Sequence, residues 1–500
     1  MNAPPVDLDP TRSGDGQDDP GLAGGLARLQ REVARDLERL MLPPANWTAG
    51  RMGPDGAPLI DVAIVGAGMC GIAAAAALAF KGLRNVVLLD QARSGREGPW
   101  LTTARMETLR SPKQLPGVAM GLGPLTFRAW YEAQHGAAGF AALYKISNAD
   151  WLDYLTWVRR VLDLPLVSDT LVRRLVPGPA HLRLDLDGPE GERSIFARRV
   201  VLANGRGGSG GLFVPEGVAA DLWPDRAAHA NEPIDLAPLA GRRIAVLGAG
   251  PAAWDNAAAA LEHGAAKVDM YARRGVLPQV NKGRGSANPG FFEGYPALDA
   301  AEKWSLLVYL HDVQSPPPHE SVHRALRHAN FRIHLATPVL RAVRAVGGVE
   351  LTLGPEGRQA EADFLICGTG FAIDLAREPL LAGFCAQIAT WADRYDPPPT
   401  LRRPALSRFP WLGEGFELSE REPGGCPAIG RVHLFNHGAW ASLGALASDI
   451  PGVTVGAERL ATRIAQHVFR EDFGDARERL EAFAEPELES TPFFDRGSFR

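Results

Sequence analysis

Two stretches of this chain are near-copies of one another, and they limit what it can fold into. "DVAIVGAGMCGIAAAAALA" fills residues 61–79 and "IAVLGAGPAAWDNAAAAL" residues 244–261. Each passes from a short apolar segment through closely spaced glycines into an Ala-rich helical pattern. Strand, tight glycine turn and helix, in that order, begin a unit of parallel sheet. The expected class is therefore α/β, with two Rossmann-like dinucleotide-binding domains.

In the first turn Gly66, Gly68 and Gly71 give G-x-G-x-x-G between the strand Asp61–Val65 and the helix. Gly66 permits the tight turn, Gly68 lets the backbone approach a pyrophosphate, and Gly71 lets helix and strand pack closely. The helix N-terminus offers free N–H groups and a positive dipole end to phosphates. The next strand, "NVVLLD", ends on Asp90, nineteen residues after Gly71, where a carboxylate can hold ribose hydroxyls. The second turn has Gly248 and Gly250, with Ala253 in the third position. Its following strand, "KVDMYARR", ends not on an acid but on Arg273 and Arg274. Guanidinium groups there suit the 2′-phosphate of NADPH, with NADH as the alternative donor. The plainer reading of the two arginines is a solvated loop.

Five hundred residues exceed what one hydrophobic core organises, which agrees with two domains. A net charge of −5 gives no reason to expect nucleic acid or an acidic membrane as partner. The longest apolar run, Ile72 to Phe80, is far short of the ~20 residues that cross a bilayer. The N-terminus lacks the layout of a secretory signal, so a cytoplasmic enzyme with a small-molecule substrate is expected. Cys70, Cys367, Cys385 and Cys426 are scattered, which argues against a disulfide framework, a dithiol centre or a metal cluster.

Residues 1–20, rich in Pro, Asp and Gly, are expected to be disordered. Residues 21–60 hold an amphipathic helix and a linker. Leu22, Leu26, Leu29, Val33, Leu37 and Leu40 form its apolar stripe, and Pro43 and Pro44 end it. That stripe reads either as a homo-oligomer contact or as an arm packed on its own domain. The remaining boundaries are a first nucleotide-binding part at 61–210, a linker at 211–241, a second unit at 242–361 and a return segment with C-terminal extension at 362–500.

Taken together, these features resemble the two-dinucleotide-binding-domain flavoproteins, and more narrowly the flavin-containing and Baeyer–Villiger monooxygenase group. The two fingerprints stand 182 residues apart, counted from Gly66 to Gly248. "VVLANG" (200–205) and "LICGTGF" (365–371) sit where the family chain leaves and re-enters its FAD domain. "REGPWLTTAR" (96–105) is similar to the family's segment passing near the isoalloxazine, and "HANEPIDLAPLAGRRIAVLGAG" to its lead into the NADPH domain. The likeness covers roughly residues 60–470. The family's identifying Phe-x-Gly-x-x-x-His is replaced here by Trp223, Asp225 and His229, with Pro233 where an aromatic would follow. A divergent branch is therefore expected.

The resemblance implies an NADPH domain inserted in an FAD domain, and FAD held by Gly66, Gly68, Gly71, Asp90, Trp100, Gly368, Thr369 and Gly370. NADPH would be held by Gly248, Gly250, Ala253, Arg273 and Arg274. Reduced flavin would react with O2 at its C4a carbon and pass one oxygen atom to a small organic substrate. Arg105, Arg110, Lys113, His437 and Trp440 are the candidates on the substrate side. A cationic pocket would suit a planar, acidic ring such as urate. The rivals are a pyridine-nucleotide flavoprotein reductase, which needs a close cysteine pair, and a non-catalytic dinucleotide-binding protein, which needs only one fingerprint.

Overall fold

A computed structural model describes residues 23–485 and residue 487. The expectation for residues 1–20, and the position of Leu22, lie outside that span. The N-terminal helix α1 (Ala23–Arg39) buries Leu29 and Val33 in the core of the first domain. It packs on α3 (Phe127–Ala142) so closely that a β-carbon on Gly25 would sit 1.7 Å from the Ala133 carbonyl oxygen. The arm thus covers its own domain.

The first sheet begins with β1 (Ile60–Val65), α2 (Met69–Phe80) and β2 (Val86–Leu89), the expected strand–turn–helix–strand. After α3, the helix α4 (Asn148–Val161) buries Trp151 and Tyr154. The strands β3 (Leu166–Val167), β4 (Leu171–Pro177), β5 (Leu182–Gly188) and β6 (Gly191–Leu202) complete the order β3-β2-β1-β6-β5-β4. Both faces of β1 are covered, which is why "DVAIV" is a continuous apolar run rather than an alternating one. The long β6 pairs antiparallel with β5 through its first part and parallel with β1 through its last.

The second sheet uses β7 (Ala227–His229), β8 (Arg243–Leu247), α5 (Pro251–Glu262), β9 (Lys267–Tyr271) and β10 (Phe331–His334). Its antiparallel neighbour is built from β11 (Val339–Ala345), β12 (Gly348–Leu353) and β13 (Arg358–Ala362). The strand β14 (Phe364–Cys367) corrects the boundary expected at residue 362. It hydrogen-bonds between β8 and β7, giving the all-parallel order β10-β9-β8-β14-β7. A buried parallel strand reads "FLIC" in either sheet, so the pattern alone could not assign it. β7, from the expected linker, likewise belongs to this sheet. The return follows β14, where the outgoing and incoming chains run side by side. Phe213 N–H donates to the Gly370 carbonyl (2.9 Å) and Asp374 N–H to that of Ser209 (2.8 Å).

The last strand, β15 (Val432–Leu434), joins the first sheet parallel to the C-terminal part of β6. The helix Val453–Glu471 then packs across α2. No helix among the described residues is long and apolar enough to cross a membrane.

Candidate active site

Both sheets present the C-terminal ends of their central strands, and a glycine turn follows each. In the first, Gly66 has φ +102°, and a β-carbon there would lie 2.5 Å from the Ala203 carbonyl oxygen. A β-carbon on Gly71 would lie 1.9 Å from the Gly66 oxygen, so helix and turn touch backbone to backbone. Gly68 differs. It caps α2 in extended conformation, and its nearest neighbour in the β-carbon direction is the Gly98 Cα at 3.9 Å.

Asp90 follows β2 with its side chain turned inward. One carboxylate oxygen accepts Ala67 N–H (2.7 Å) and the other Ala92 N–H (2.8 Å). The acid expected to hold ribose therefore also fastens the fingerprint turn, and each oxygen keeps a further lone pair. Beyond it the chain crosses in front of Gly68 at Gly98 and reaches Trp100, whose indole meets Trp151 edge-on at 6.1 Å. Trp100 Nε1 and Glu97 Oε1 are buried without a hydrogen-bond partner. Burial raises the Glu97 carboxyl above the usual carboxylate range.

The second edge repeats the first. Gly248 has φ +103°, and its β-carbon position lies 2.5 Å from the Gly368 carbonyl oxygen. Gly250 caps α5 and has nothing within 4 Å in the β-carbon direction. Ala253 is fully buried and lies 2.5 Å from where a β-carbon on Gly368 would stand. Gly368, Thr369 and Gly370, expected at the FAD site, thus stand to the second fingerprint as Ala203–Gly205 stand to the first. The reason is again the sheet to which β14 belongs. Thr369 donates its hydroxyl to the Phe213 carbonyl. Arg273 is exposed just past the end of β9, and half-buried Arg274 donates to the Asp312 carbonyl (3.3 Å).

The three cations expected on the substrate side are not gathered in one pocket. Arg105 donates to the carbonyls of Ala230 (3.0 Å) and Glu232 (2.8 Å), tying the first domain to the end of β7. Arg110 pairs with buried Asp255 on α5 at 2.5 Å. Lys113 caps α3 through the carbonyls of Phe140, Ala141 and Leu143. A charge visible in sequence says nothing of the remote carbonyls it will meet. The linker residues are also engaged: Asp225 pairs with Arg344, and Trp223 Nε1 donates to Glu232. His229 is buried at the end of β7.

His437 and Trp440 follow β15 at the C-terminal edge of the first sheet. Their rings stack at 6.2 Å, and Phe409 lies 6.0 Å from His437. His437 Nδ1 is buried without a partner. Burial, with a smaller contribution from the Arg206 cation, pushes this imidazole down to about 3, so it is neutral. Behind it, buried Asn436 accepts from Ser209 Oγ (2.9 Å) and Gly438 N–H (2.8 Å), and donates to Asn204 Oδ1 (2.8 Å) and the Gly208 carbonyl (3.2 Å). Sequence reading did not single out Asn204, Ser209 or Asn436, which form this hydrogen-bonded lock. The available signal was an asparagine past the end of each of two strands, one of them followed by a glycine-rich run. A cavity of about 310 Å³ lined by Pro224, Pro233 and Phe364 lies at the opposite, N-terminal edge of the second sheet, away from both turns.

Two glycine turns, each following a central parallel strand of its own sheet and joined by paired crossings, define a protein with two dinucleotide-binding domains. The chain belongs to the pyridine nucleotide-disulphide oxidoreductase family, which matches residues 60–380. It is 40% identical to an FAD-dependent urate hydroxylase from Xanthomonas campestris pv. campestris, over 89% of this chain and 94% of that one. Its fold resembles the reduced ornithine hydroxylase of Pseudomonas aeruginosa, with TM-score 0.63 at 19% identity, covering 82% of this chain and all of that one. The L-lysine 6-monooxygenase of Pseudomonas syringae gives TM-score 0.61 at 18% identity, covering 81% and 99%.

Proposed function

We propose that this enzyme hydroxylates urate, or a closely similar planar and acidic nitrogen heterocycle, using O2 and NADPH. It is an FAD-dependent monooxygenase with NAD(P)H as its reductant. The observation that carries the substrate is the likeness to a urate hydroxylase along nearly the whole of both chains. The family's name describes disulfide chemistry, and the cysteines here do not suit it. Burial pushes the Cys70 and Cys367 thiols up to about 12, and all four cysteines are free. A thiol held in its neutral form by burial is a poor nucleophile.

The residues present fit FAD at the first edge. At the N-terminus of α2 a β-carbon on Gly68 would meet nothing nearer than the Gly98 Cα at 3.9 Å, and Trp100 Nε1 is a buried donor without an acceptor. Backbone N–H groups at Gly68 and beyond would hold the pyrophosphate, and Asp90 the ribose with its remaining lone pairs. Gly250 and the N-terminus of α5 would do the same for NADPH, with Arg273 and Arg274 on the 2′-phosphate. Bound FAD supplies the reaction with O2 once reduced from the second site. The Trp100–Trp151 wall and the rings of Phe409, His437 and Trp440 would exclude water from the reacting centre. The enzyme acts in the cytoplasm on a small molecule.

The test follows NADPH consumption and peroxide release together while purines and related heterocycles are offered. Urate should raise NADPH consumption and suppress peroxide release. Peroxide release that urate leaves unchanged would reject it as substrate.

A further inference from the structure

We propose that Arg206 is the cation that holds the substrate's anionic edge, with the His437 ring, carried on the exit of the neighbouring strand, as a hydrogen-bonding partner. This assignment rests on the hydroxylase reading above and names the residues that would select its substrate.

The placement follows from strand pairing. β6 and β15 are parallel neighbours, with Leu202 opposite Leu434, so the chain leaves both at the same edge. The bond from Asn436 Nδ2 to Asn204 Oδ1 locks the two exits together. Arg206 lies two residues past one end of that bond and His437 one past the other. Ser209 and the Gly208 carbonyl, both held by Asn436, fix the glycine-rich loop that carries Arg206. The start of α2 reaches the same place, where Cys70 Sγ donates to the Ala447 carbonyl (3.3 Å).

Charge accounting separates Arg206 from the other cations around the site. Arg105, Arg110 and Lys113 are committed to carbonyls or a carboxylate at 2.5–3.3 Å. Arg324 is committed likewise, to Glu262 and to the Arg105 carbonyl. Among the described residues Arg206 pairs only with Asp449, at 3.9 Å, and the two side chains are 52% and 51% exposed. So long and open an ion pair is worth little and exchanges readily for another anion. His437 adds a second observation, because its Nδ1 is buried without a partner at the exit of β15, the strand that pairs with β6 below Arg206. As a neutral ring it offers one donor and one acceptor, and it adds no second cation. A guanidinium fork matches the paired acceptors of an anionic lactam edge, and the Phe409 and Trp440 rings offer flat faces to a planar ligand.

The experiment titrates FAD-loaded enzyme with urate, reading the flavin absorbance, for wild type, Arg206→Gln and Arg206→Lys. Arg206→Gln should keep one FAD per chain and bind urate roughly tenfold to a hundredfold more weakly, the range for losing a hydrogen bond to a charged group. Arg206→Lys should recover part of that loss. Wild-type affinity in Arg206→Gln would overturn the assignment. Loss of FAD from that variant would also overturn it, because the guanidinium would then belong to the cofactor. A wild type that binds urate through Arg206 without oxygenating it would fail the hydroxylase reading and leave the assignment standing. One that binds no urate overturns both.

Discussion

At the scale of single residues, the two inner glycines of the first turn make opposite demands. A β-carbon on Gly68 would meet only the Gly98 Cα, at 3.9 Å, whereas one on Gly71 would strike the Gly66 carbonyl at 1.9 Å. Gly68→Val should therefore purify folded but colourless, with far-UV circular dichroism and apo melting temperature near wild type. Gly71→Ala should instead lose on the order of 2–4 kcal/mol of stability, read by denaturant unfolding, because backbone must shift. A yellow, fully loaded Gly68→Val would show that the turn does not face the cofactor. Replacing Arg273 and Arg274 by Ala should raise the KM for NADPH about tenfold or more and leave that for NADH unchanged, since only NADPH has the 2′-phosphate. Equal effects on both would move the 2′-phosphate elsewhere. At this scale the glycines were legible because a fingerprint is local. Arg105, Arg110 and Lys113 were legible only as charges, since their partners lie 27 to 145 positions away along the chain.

Among the elements, β15 and the turn after it carry a pH dependence. His433 is buried on the strand, with Nδ1 bonded to the Gly415 carbonyl at 2.7 Å. Burial, opposed by the Glu417 carboxylate, pushes its imidazole down from 6.5 to about 4. His437 is depressed in the same direction. Below 6.5 the unfolded chain takes up these protons and the folded chain does not, so the contribution is whole above pH 6.5 and is lost as pH falls toward 4. Thermal unfolding of His433→Gln should therefore fall less steeply than wild type between pH 6.5 and 4. Parallel slopes would mean that the ring is protonated in the folded state. Elements differ in what their sequence discloses. The strand–turn–helix units were readable from periodicity, and so was the stripe of α1. The partner of β14 was not, because "FLIC" satisfies any covered parallel position and only long-range pairing chooses the sheet.

Across the whole molecule, the two nucleotide edges face one enzyme because the domains are held together by more than their crossings. Arg105 grips the end of β7, Arg110 pairs with Asp255 on α5, and Arg324 donates to the Arg105 carbonyl. Asp255 is itself held by Ser321, so the clasp is braced from the second domain's interior. Two-domain architecture was legible from a doubled motif. The clasp and the Asn204–Asn436 lock were not, because they join residues 125 to 232 positions apart. What defines this enzyme chemically is that electrons entering at the second edge leave through oxygen. That is tested most directly by turning over urate with NADPH under isotopically labelled O2. NADPH, O2 and urate should disappear one for one, and the product should carry one labelled oxygen atom. Rapid turnover of urate with oxygen absent would make the protein a reductase, and a product free of label would exclude insertion of oxygen from O2.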